Sequence, residues 1–276
     1  MLRILLILLF LGTVVRSAEQ QKRIISLAPS ITEMICALGE QKSLVGVTDF
    51  CKDPFKKTDF NGMSVGGIIN PNIEKMLKLR PDAVLLLKGK SEHAAKLQKY
   101  GLKVIELDHM NLDGVFKSIK RIGEVCGVEK RADELYSSLA KHLEKKDFSK
   151  GPKVLLTITR LSSQSNIRLW VAGNDGFYSK LLNLCGAQNA YQEDAKFQQI
   201  TLEALIKMDP DVIILLRDKM KPEEQELEIK FWKKLPTLKA VKNNRFHIIT
   251  GDEIMIPGPR FPLILEKFQK ALPKDE

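Results

Sequence analysis

The sequence predicts an α/β protein built from two similar lobes, and three observations support this prediction. Short apolar runs alternate with helical segments, which is typical of βα units around a largely parallel sheet. The pattern Glu-x3-Lys-x2-Pro-Asp occurs twice, beginning at Glu74 and at Glu203, an offset of 129 residues. A charged segment with a narrow apolar stripe separates the two halves. We therefore expect two lobes with mainly parallel sheets, joined by one long rigid helix, with a ligand cleft between them.

The N-terminus has the composition of a secretory signal. Arg3 gives it a positive start, and Ile4–Val15 is almost wholly apolar. This run is shorter than the ~20 residues that a membrane-spanning helix needs. We expect residues 1–18 to be a signal peptide that directs the protein to the periplasm, with an uncleaved membrane anchor as the alternative. Because this segment contains no Cys, we expect no lipid anchor.

The first lobe is expected over residues 19–128. Its first helix follows a strand directly, with Ser30 as the predicted cap and Glu33 completing a capping box. Glycines are expected to end the helices. In order, the predicted elements are strand Arg23–Leu27, a helix from Ile31 to Gly39, strand Leu44–Val47, a helix capped by Asn72, strand Ala83–Leu87, helix Glu92–Tyr100, strand Lys103–Leu107 and helix Leu112–Cys126.

Residues 129–150 are predicted to form the linking helix, and residues 151–276 the second lobe. The stripe of Ala132, Leu135, Leu139 and Leu143 is the apolar face of the linking helix. The break at Gly151-Pro152 ends it. In order, the predicted elements of the second lobe are strand Lys153–Ile158, helix Phe177–Cys185, a helix capped by Thr201, strand Val212–Leu216, strand Arg245–Ile249 and a last helix over about Leu263–Leu272.

The repeated pattern predicts a capped helix, a Pro-Asp turn and a buried strand in each lobe. Glu74 and Glu203 therefore each lie in the first turn of a helix, where a carboxylate complements the helix dipole. A matched carboxylate on each lobe also suits a partner that touches both lobes. The residues alone leave both interpretations open.

Charge and cysteine content bear on several classes of function. The chain has 44 basic and 34 acidic residues, but its lysines are mixed with glutamates, which indicates a solvated surface rather than a nucleic-acid-binding face. An anionic ligand or membrane surface stays open. The cysteines form no CxxC pair, so we expect no structural zinc site, and buried thiols are the simplest interpretation although three full disulfide pairings are possible. The cysteines are Cys36, Cys51, Cys126 and Cys185.

The sequence lacks most of the common catalytic signatures. HExxH, the P-loop and G-x-G-x-x-G are absent, and the one G-x-S-x-G match, at residues 62–66, does not lie between a predicted strand and a predicted helix, so we expect no catalytic residues. The alternative is an exported two-lobed enzyme that uses Ser162, Ser163 and Asp252 at the strand ends. The histidines are too scattered for a metal motif.

An ordered set of short segments carries a family resemblance over nearly all of the chain after residue 18. The chain resembles the periplasmic binding proteins that serve ABC importers of vitamin B12 and iron complexes, and the cobalamin-binding members are the most similar. The segments are Arg23–Glu33, Leu38-Gly39, Val45–Thr48, Val65–Gly67, Asn72–Glu74, Arg80–Asp82, Leu184–Asn189, Phe231-Trp232, Leu235-Pro236 and Pro257–Arg260.

The resemblance implies a ligand site between the lobes. Cobalamin binders place aromatic side chains at the positions of Phe50 and Phe197, a Trp at the position of Gly67, and a polar contact at that of Asp252. Arg260 is placed either to reach an anionic ligand group or to cap a turn. The implied ligand is a cobalamin or corrinoid, with a ferric siderophore or haem as the alternative. His109, which follows a predicted strand, is a candidate axial contact to haem or cobalt.

The resemblance also implies a membrane partner. One Glu per lobe, here Glu74 and Glu203, would dock onto arginines of a permease dimer through charge-assisted pairs. We expect no cofactor apart from the transported ligand, no nucleic-acid partner, and a monomer.

Overall fold

The computed structural model describes residues 21–51, 62–89, 91–144, 147–163, 166–174, 176–195 and 197–273. The predicted signal peptide, residues 1–18, lies outside these ranges. Within them, no helix is both long and apolar enough to cross a membrane. The predicted two-lobed α/β fold is confirmed, with one sheet in each lobe.

The first lobe is built on a five-stranded parallel sheet of order β3-β2-β1-β4-β5. Strand β1 lies in the centre of this sheet. The strands that follow it in the chain are added first on one side, as β2 and β3, and then on the other, as β4 and β5, so the direction of winding reverses between β1 and β4. The elements are β1 (Ile24–Ser26), α1 (Pro29–Ala37), β2 (Leu44–Val47), β3 (Met63–Ser64), α2 (Ile73–Lys78), β4 (Ala83–Leu87), α3 (Ser91–Lys99), β5 (Val104–Leu107), α4 (Leu112–Cys126) and α5 (Glu129–Ala140).

The second lobe is built on a six-stranded mixed sheet of order β11-β10-β6-β7-β9, with β8 also paired to β6. The elements are β6 (Lys153–Ser163), β7 (Asn166–Ala172), α6 (Phe177–Leu184), β8 (Gln188–Asn189), β9 (Phe197–Thr201), α7 (Leu202–Met208), β10 (Val212–Arg217), α8 (Pro222–Trp232), α9 (Lys239–Lys242), β11 (Phe246–Thr250) and α10 (Phe261–Ala271).

The prediction of a mainly parallel sheet is correct for the first lobe and incomplete for the second. Strand β7 runs antiparallel to both β6 and β9, and none of the predicted elements corresponded to β7 or β9. Strand β6, the first strand of the second lobe, also continues past the predicted end at Ile158, to Ser163. It is this extension that pairs with β7 in a hairpin, so the second sheet gains an antiparallel half that the first sheet lacks.

The predicted linking helix is too long. Helix α5 ends at Ala140, whereas we expected it to continue to about Phe148 and the linking segment to reach residue 150. Within α5, Ala132 and Leu139 are buried as the apolar stripe predicted. Farther along, the Asp147 side chain accepts a hydrogen bond from the backbone N–H of Ser149 at 2.9 Å. Such local side-chain bonds compete with helical hydrogen bonding.

The predicted cap of the first helix is also wrong. Helix α1 begins at Pro29, and Ala28 occupies the N-cap position without a side-chain hydrogen bond. Proline suits the first helical position because its fixed φ fits the helix and the missing N–H would have no helical partner there. Ser30 and Glu33 therefore do not form the predicted capping box, and both instead contact residues that are distant in the sequence.

The repeated motif gives the same turn in both lobes. Asp82 accepts a hydrogen bond from the backbone N–H of Arg23 at 2.8 Å, and Asp211 accepts one from Lys153 at 2.9 Å. The residue two positions before each Asp has positive φ, 43° at Arg80 and 42° at Asp209. The Asp of each motif thus ties the repeat turn to the start of that lobe's first strand, which is a structural task.

One hydrophobic core cluster includes buried residues from both lobes. It contains residues of α1 and α4 from the first lobe and of α6 and α10 from the second. Phe261 of α10 lies with its ring 6.0 Å from that of Phe116 in α4 and 6.3 Å from that of His142. Helix α10, at the end of the second lobe, therefore packs against the first lobe.

Gly151, at the start of the predicted second lobe, lies at a point of close backbone approach. A Cβ built on it would lie 1.8 Å from the carbonyl oxygen of Gly186, two positions after the end of α6. We expect Gly151→Ala to lower the free energy of unfolding by about 1–3 kcal/mol, measured by urea denaturation, because backbone must move apart. Gly67→Ala is the matched control, since a Cβ there meets no atom within 4 Å. Equal stability of the two variants would contradict the expectation.

Candidate ligand-binding site

A cavity of about 240 Å³ lies between the two lobes. On the first-lobe side it is bounded by Ser30, just after β1, and Leu87, at the end of β4. These are the strands between which the order of the first sheet reverses, and open α/β sheets bind ligands outside the carboxyl ends of strands at such a point. The topology therefore places the cavity where a ligand is expected.

The walls of the cavity are mostly apolar. Three aromatic side chains from the second lobe are in contact: the rings of Phe177 and Tyr178 are 5.2 Å apart, and those of Tyr178 and Phe197 are 6.0 Å apart. The Tyr178 hydroxyl donates to the carbonyl oxygen of Ile254 at 2.6 Å, which fixes this ring. The remaining lining residues are Ser30, Leu87, His109, Met110, Ile158, Ala172, Gly176, Met255 and Pro257.

His109 is the one imidazole on this wall within the described residues, and it lies two positions after β5. Its Nδ1 is 2.7 Å from the hydroxyl oxygen of Ser30. Its Nε2 is buried and has no hydrogen-bond partner among the described residues. Burial lowers the pKa of His109 to about 4, although the charge of Asp108 acts in the opposite direction. The ring is therefore neutral at neutral pH.

A cluster of three charged side chains joins the lobes beside the cavity. Arg260 donates to Glu33 of α1 at 2.9 Å and lies 3.1 Å from Asp252. Burial raises the pKa of Glu33, and the hydrogen bond and charge of Arg260 offset part of that effect. Partial burial acts to raise the pKa of Asp252, but Arg260 holds it below its usual range. The guanidinium of Arg260 is thus already engaged by two carboxylates.

The structure brings together only some of the side chains that the sequence predicted as ligand contacts. Phe197 lines the cavity. Asp252 and Arg260 lie in the charged cluster, near the lining residues Met255 and Pro257. Phe50 is exposed in a short turn, and neither it nor Gly67 lines the cavity. A ligand role for these five positions stays a prediction.

The cavity also contains residues that sequence reasoning missed. Phe177 and Tyr178 had been predicted only as the start of a helix. The one signal for a site role was their position in the first turn of α6, just after the loop that follows β7. Met110 and Met255 gave no signal at all. His109 had been noted because it follows a predicted strand, and that position is correct.

The two repeated glutamates lie at the starts of matching helices. Asn72 and Thr201 cap α2 and α7 as predicted, each accepting a hydrogen bond from a backbone N–H inside its helix. Both Glu74 and Glu203 are exposed. Glu74 pairs with Lys78 of the same helix at 2.6 Å. The backbone N–H of Glu203 and the Thr201 hydroxyl hold the pKa of the Glu203 carboxyl below its usual range.

The described residues contain no group of three or more His, Cys, Asp or Glu side chains that could hold a metal ion. Cys36, Cys51 and Cys126 are thiols in the structure. Cys51 is buried and lies within hydrogen-bond distance of the Thr32 and Thr48 hydroxyls, at 3.2 and 3.1 Å. The Cys185 thiol donates to the carbonyl oxygen of Leu265 at 3.7 Å.

Known proteins resemble the chain in both sequence and fold. The family model described as periplasmic binding protein matches residues 24–253. An uncharacterized ABC transporter substrate-binding lipoprotein of Bacillus subtilis is 30% identical over 93% of this chain and 82% of its own length. A vitamin B12-binding protein of Vibrio parahaemolyticus is 25% identical over 91% of this chain and 90% of its own.

A solved structure has the same fold. A periplasmic haem-binding protein of Pseudomonas aeruginosa matches with a TM-score of 0.74 and 26% identity, over 91% of this chain and 92% of that protein. The shared fold therefore extends across both lobes.

Proposed function

This chain belongs to the periplasmic binding protein family, and from that premise we propose that its ligand is a cobalamin or another corrinoid. It is the substrate-binding component of an ABC importer of the type that carries vitamin B12, haem or iron complexes. Such a component binds its ligand and delivers it to a membrane permease; its relatives are transport proteins rather than enzymes.

The observation that carries the proposal is the aromatic wall of the interlobe cavity. The rings of Phe177, Tyr178 and Phe197 meet edge to face, at interplanar angles of 86° and 62°, and together form an apolar wall against which a macrocycle can pack. Among the described residues that line the cavity there is no Lys or Arg. An anionic ferric siderophore would leave its charge without a partner on such a wall, so a macrocycle with apolar faces is the better fit.

Haem is the second candidate, and a specific observation supports it. His109 presents a neutral imidazole on the cavity wall, and a neutral imidazole is a common ligand of iron. The haem-binding protein of Pseudomonas aeruginosa supports haem to the same degree that the Vibrio parahaemolyticus relative supports cobalamin.

We propose export to the periplasm through residues 1–18, whose composition is that of a signal peptide. The expected absence of a lipid anchor stays a prediction, because the Bacillus subtilis relative is described as a lipoprotein. The lobe limits of 19–128 and 151–276, the linking segment of 129–150 and the monomeric state likewise stay predictions.

We propose that Glu74 and Glu203 are the contacts with the permease. A helix that precedes a parallel strand runs opposite to it, so its N-terminus lies at the carboxyl edge of the sheet. Both glutamates therefore lie at the cleft edge of their lobes. The aspartates of the two motifs have structural tasks within the lobes. The Glu74 and Glu203 side chains are exposed: Glu74 pairs with Lys78 of its own helix, and Glu203 interacts with Thr201 at the helix cap and with the charge of Arg168.

The test is calorimetric titration of the purified protein with cyanocobalamin, haemin and an anionic ferric catecholate siderophore in parallel. We expect one-to-one binding of cyanocobalamin. Phe197→Ala should weaken it by about three- to tenfold, because an aromatic stacking contact contributes about 0.5–1.5 kcal/mol. Tyr100→Ala is the matched control, since Tyr100 is also an exposed aromatic but does not line the cavity and is not a predicted contact.

Binding of haemin alone would move the ligand to the second candidate. Binding of the siderophore alone would refute the macrocycle argument, and so would equal weakening by Tyr100→Ala and Phe197→Ala. No binding of any of the three would overturn the proposed ligand class.

A further inference from the structure

One nitrogen of the buried His109 imidazole has no hydrogen-bond partner among the described residues. His109 is only 4% exposed, and the nitrogen in question is Nε2. A buried polar atom left without a partner is destabilising, so such atoms are uncommon unless something else occupies them. His109 also lines the interlobe cavity. The unpartnered nitrogen therefore belongs to a side chain of the cavity wall, although Nε2 itself is covered in the structure.

The other ring nitrogen is held in place. The Ser30 hydroxyl lies 2.7 Å from Nδ1, and Ser30 is fixed in the first turn of α1. When Nδ1–H donates to the Ser30 oxygen, Nε2 carries the lone pair. A hydrogen bond at one imidazole nitrogen that fixes the tautomer and the ring orientation is the usual support for a metal ligand at the other nitrogen. Burial keeps the ring neutral, which is the form that binds metals.

A bare metal ion would need further protein donors. No group of three or more potential ligands is present in the part of the chain that the structure describes. A single imidazole suffices only when the metal arrives already held by its own ligands, as in a corrin or porphyrin ring, where four ring nitrogens occupy the equatorial plane and the axial positions face outward. The surroundings of His109 therefore select a metal macrocycle.

We infer that Nε2 of His109 is an axial ligand to the central metal of the bound macrocycle. This inference rests on the proposed function. The step is a ligand exchange: the axial water leaves with its own electron pair, and the Nε2 lone pair forms the new bond. No electron is transferred to or from the metal. Ser30 is a positioning residue, because it acts through the imidazole.

The two lobes would then play different parts in holding the ligand. His109 and Ser30 belong to the first lobe, and the wall of Phe177, Tyr178 and Phe197 belongs to the second. The macrocycle would be coordinated on one face and packed against the aromatic wall on the other. The cavity of about 240 Å³ is smaller than the ~300–1,000 Å³ usual for drug-sized ligands, so we expect the lobes to separate as the ligand enters. The same movement would have to uncover Nε2, which is buried in the structure.

The experiment compares two forms of the same ligand by visible absorption. Aquocobalamin carries an exchangeable axial water, whereas cyanocobalamin has both axial positions filled. We expect the protein to shift the spectrum of aquocobalamin and to bind cyanocobalamin without a comparable shift. In His109→Ala the shift should disappear, and the affinity for aquocobalamin should fall to that for cyanocobalamin. Free imidazole added to His109→Ala should restore a shift.

Two further variants separate coordination from a structural role. Ser30→Ala should keep the shift but lower the affinity for aquocobalamin by about tenfold, because it removes the support of the ring. His247→Ala, at a histidine that does not line the cavity, should change neither quantity. Thermal unfolding of each variant would verify that it folds. Haemin is tested in the same way, and a His109-dependent shift with haemin alone would identify iron as the metal.

The outcomes distinguish failure of the inference from failure of the proposed function. If both cobalamins bind equally well to the protein and to His109→Ala without a shift, coordination is wrong and the corrinoid proposal stands. If neither cobalamin nor haemin binds to the unmodified protein, the proposed function fails, and the inference fails with it.

Discussion

Replacement of Arg260 by alanine is expected to lower the free energy of unfolding by about 3–5 kcal/mol, because it leaves a buried carboxylate without its partner. Glu33 is 5% exposed, and Arg260 donates to it at 2.9 Å across the two lobes. One oxygen of Glu33 already lacks a hydrogen bond among the described residues. Without the guanidinium, the buried carboxylate would lose the positive charge and the side-chain hydrogen bond that compensate it. Urea denaturation at pH 7 measures the loss.

The deficit of the Arg260→Ala variant should depend on pH in a defined direction. Burial raises the folded-state pKa of Glu33 above its unfolded value, and Arg260 is the side chain that limits this rise. The stability associated with the proton on Glu33 is fully present below the unfolded pKa and is lost as pH rises through the folded pKa. Without Arg260 the folded pKa rises further, so the deficit relative to the unmodified protein should shrink when pH falls from 7 to about 5.

Two controls separate the buried pair from surface charge. The double variant Glu33→Gln/Arg260→Leu should regain much of the lost stability, since it removes both charges. Lys270→Ala breaks an exposed pair with Glu266 and should change stability by less than about 1 kcal/mol. A deficit for Arg260→Ala no larger than that of Lys270→Ala, or one that grows on acidification, would refute the argument.

Reversal of both docking glutamates is expected to remove transport without affecting ligand binding. The double variant Glu74→Lys/Glu203→Lys would place a positive charge opposite basic permease loops at each lobe. Charge reversal at a complementary interface replaces attraction by repulsion, and we expect at least about a tenfold loss of uptake. The measurement is uptake of labelled ligand by cells that carry the cognate permease but lack their own copy of this protein, with calorimetric titration of the purified variant alongside.

A matched variant controls for net charge. Glu129→Lys/Glu223→Lys makes the same charge change in the first turns of α5 and α8, at positions outside the two repeats. It should leave uptake unchanged. Uptake that survives the reversal of Glu74 and Glu203 would sink the docking proposal, and a loss of ligand affinity in that variant would show that these residues act on the cleft instead.

Local signals in the sequence predicted most of the fold. The caps Asn72 and Thr201 and the left-handed Gly127 that ends α4 are confirmed, since each acts within its own turn of helix. The extension of β6 and the strands β7 and β9 were missed. They are stabilised by antiparallel pairing among β6, β7 and β9, and β9 in particular lacks the clear alternation that marks an isolated strand.

The candidate site was harder to predict, because its contacts join residues far apart in the chain. Glu33 and Arg260 are 227 positions apart, and His109 reaches Ser30 across 79. Ser30 and Glu33 fit a capping box by spacing, but Pro29 moved the start of the helix and both side chains took long-range partners. No local pattern distinguishes those two outcomes.

The small volume of the interlobe cavity affects the apparent affinity for the ligand. If only a fraction of molecules is open at any moment, the apparent dissociation constant equals the intrinsic constant divided by that fraction. Ion pairing between the lobes at Arg260 then tunes how much free ligand the cell needs for capture, without touching the ligand. A permease that contacts both lobes would change the same open fraction. Retention of the ligand before docking and its release at the membrane would then both depend on one opening equilibrium.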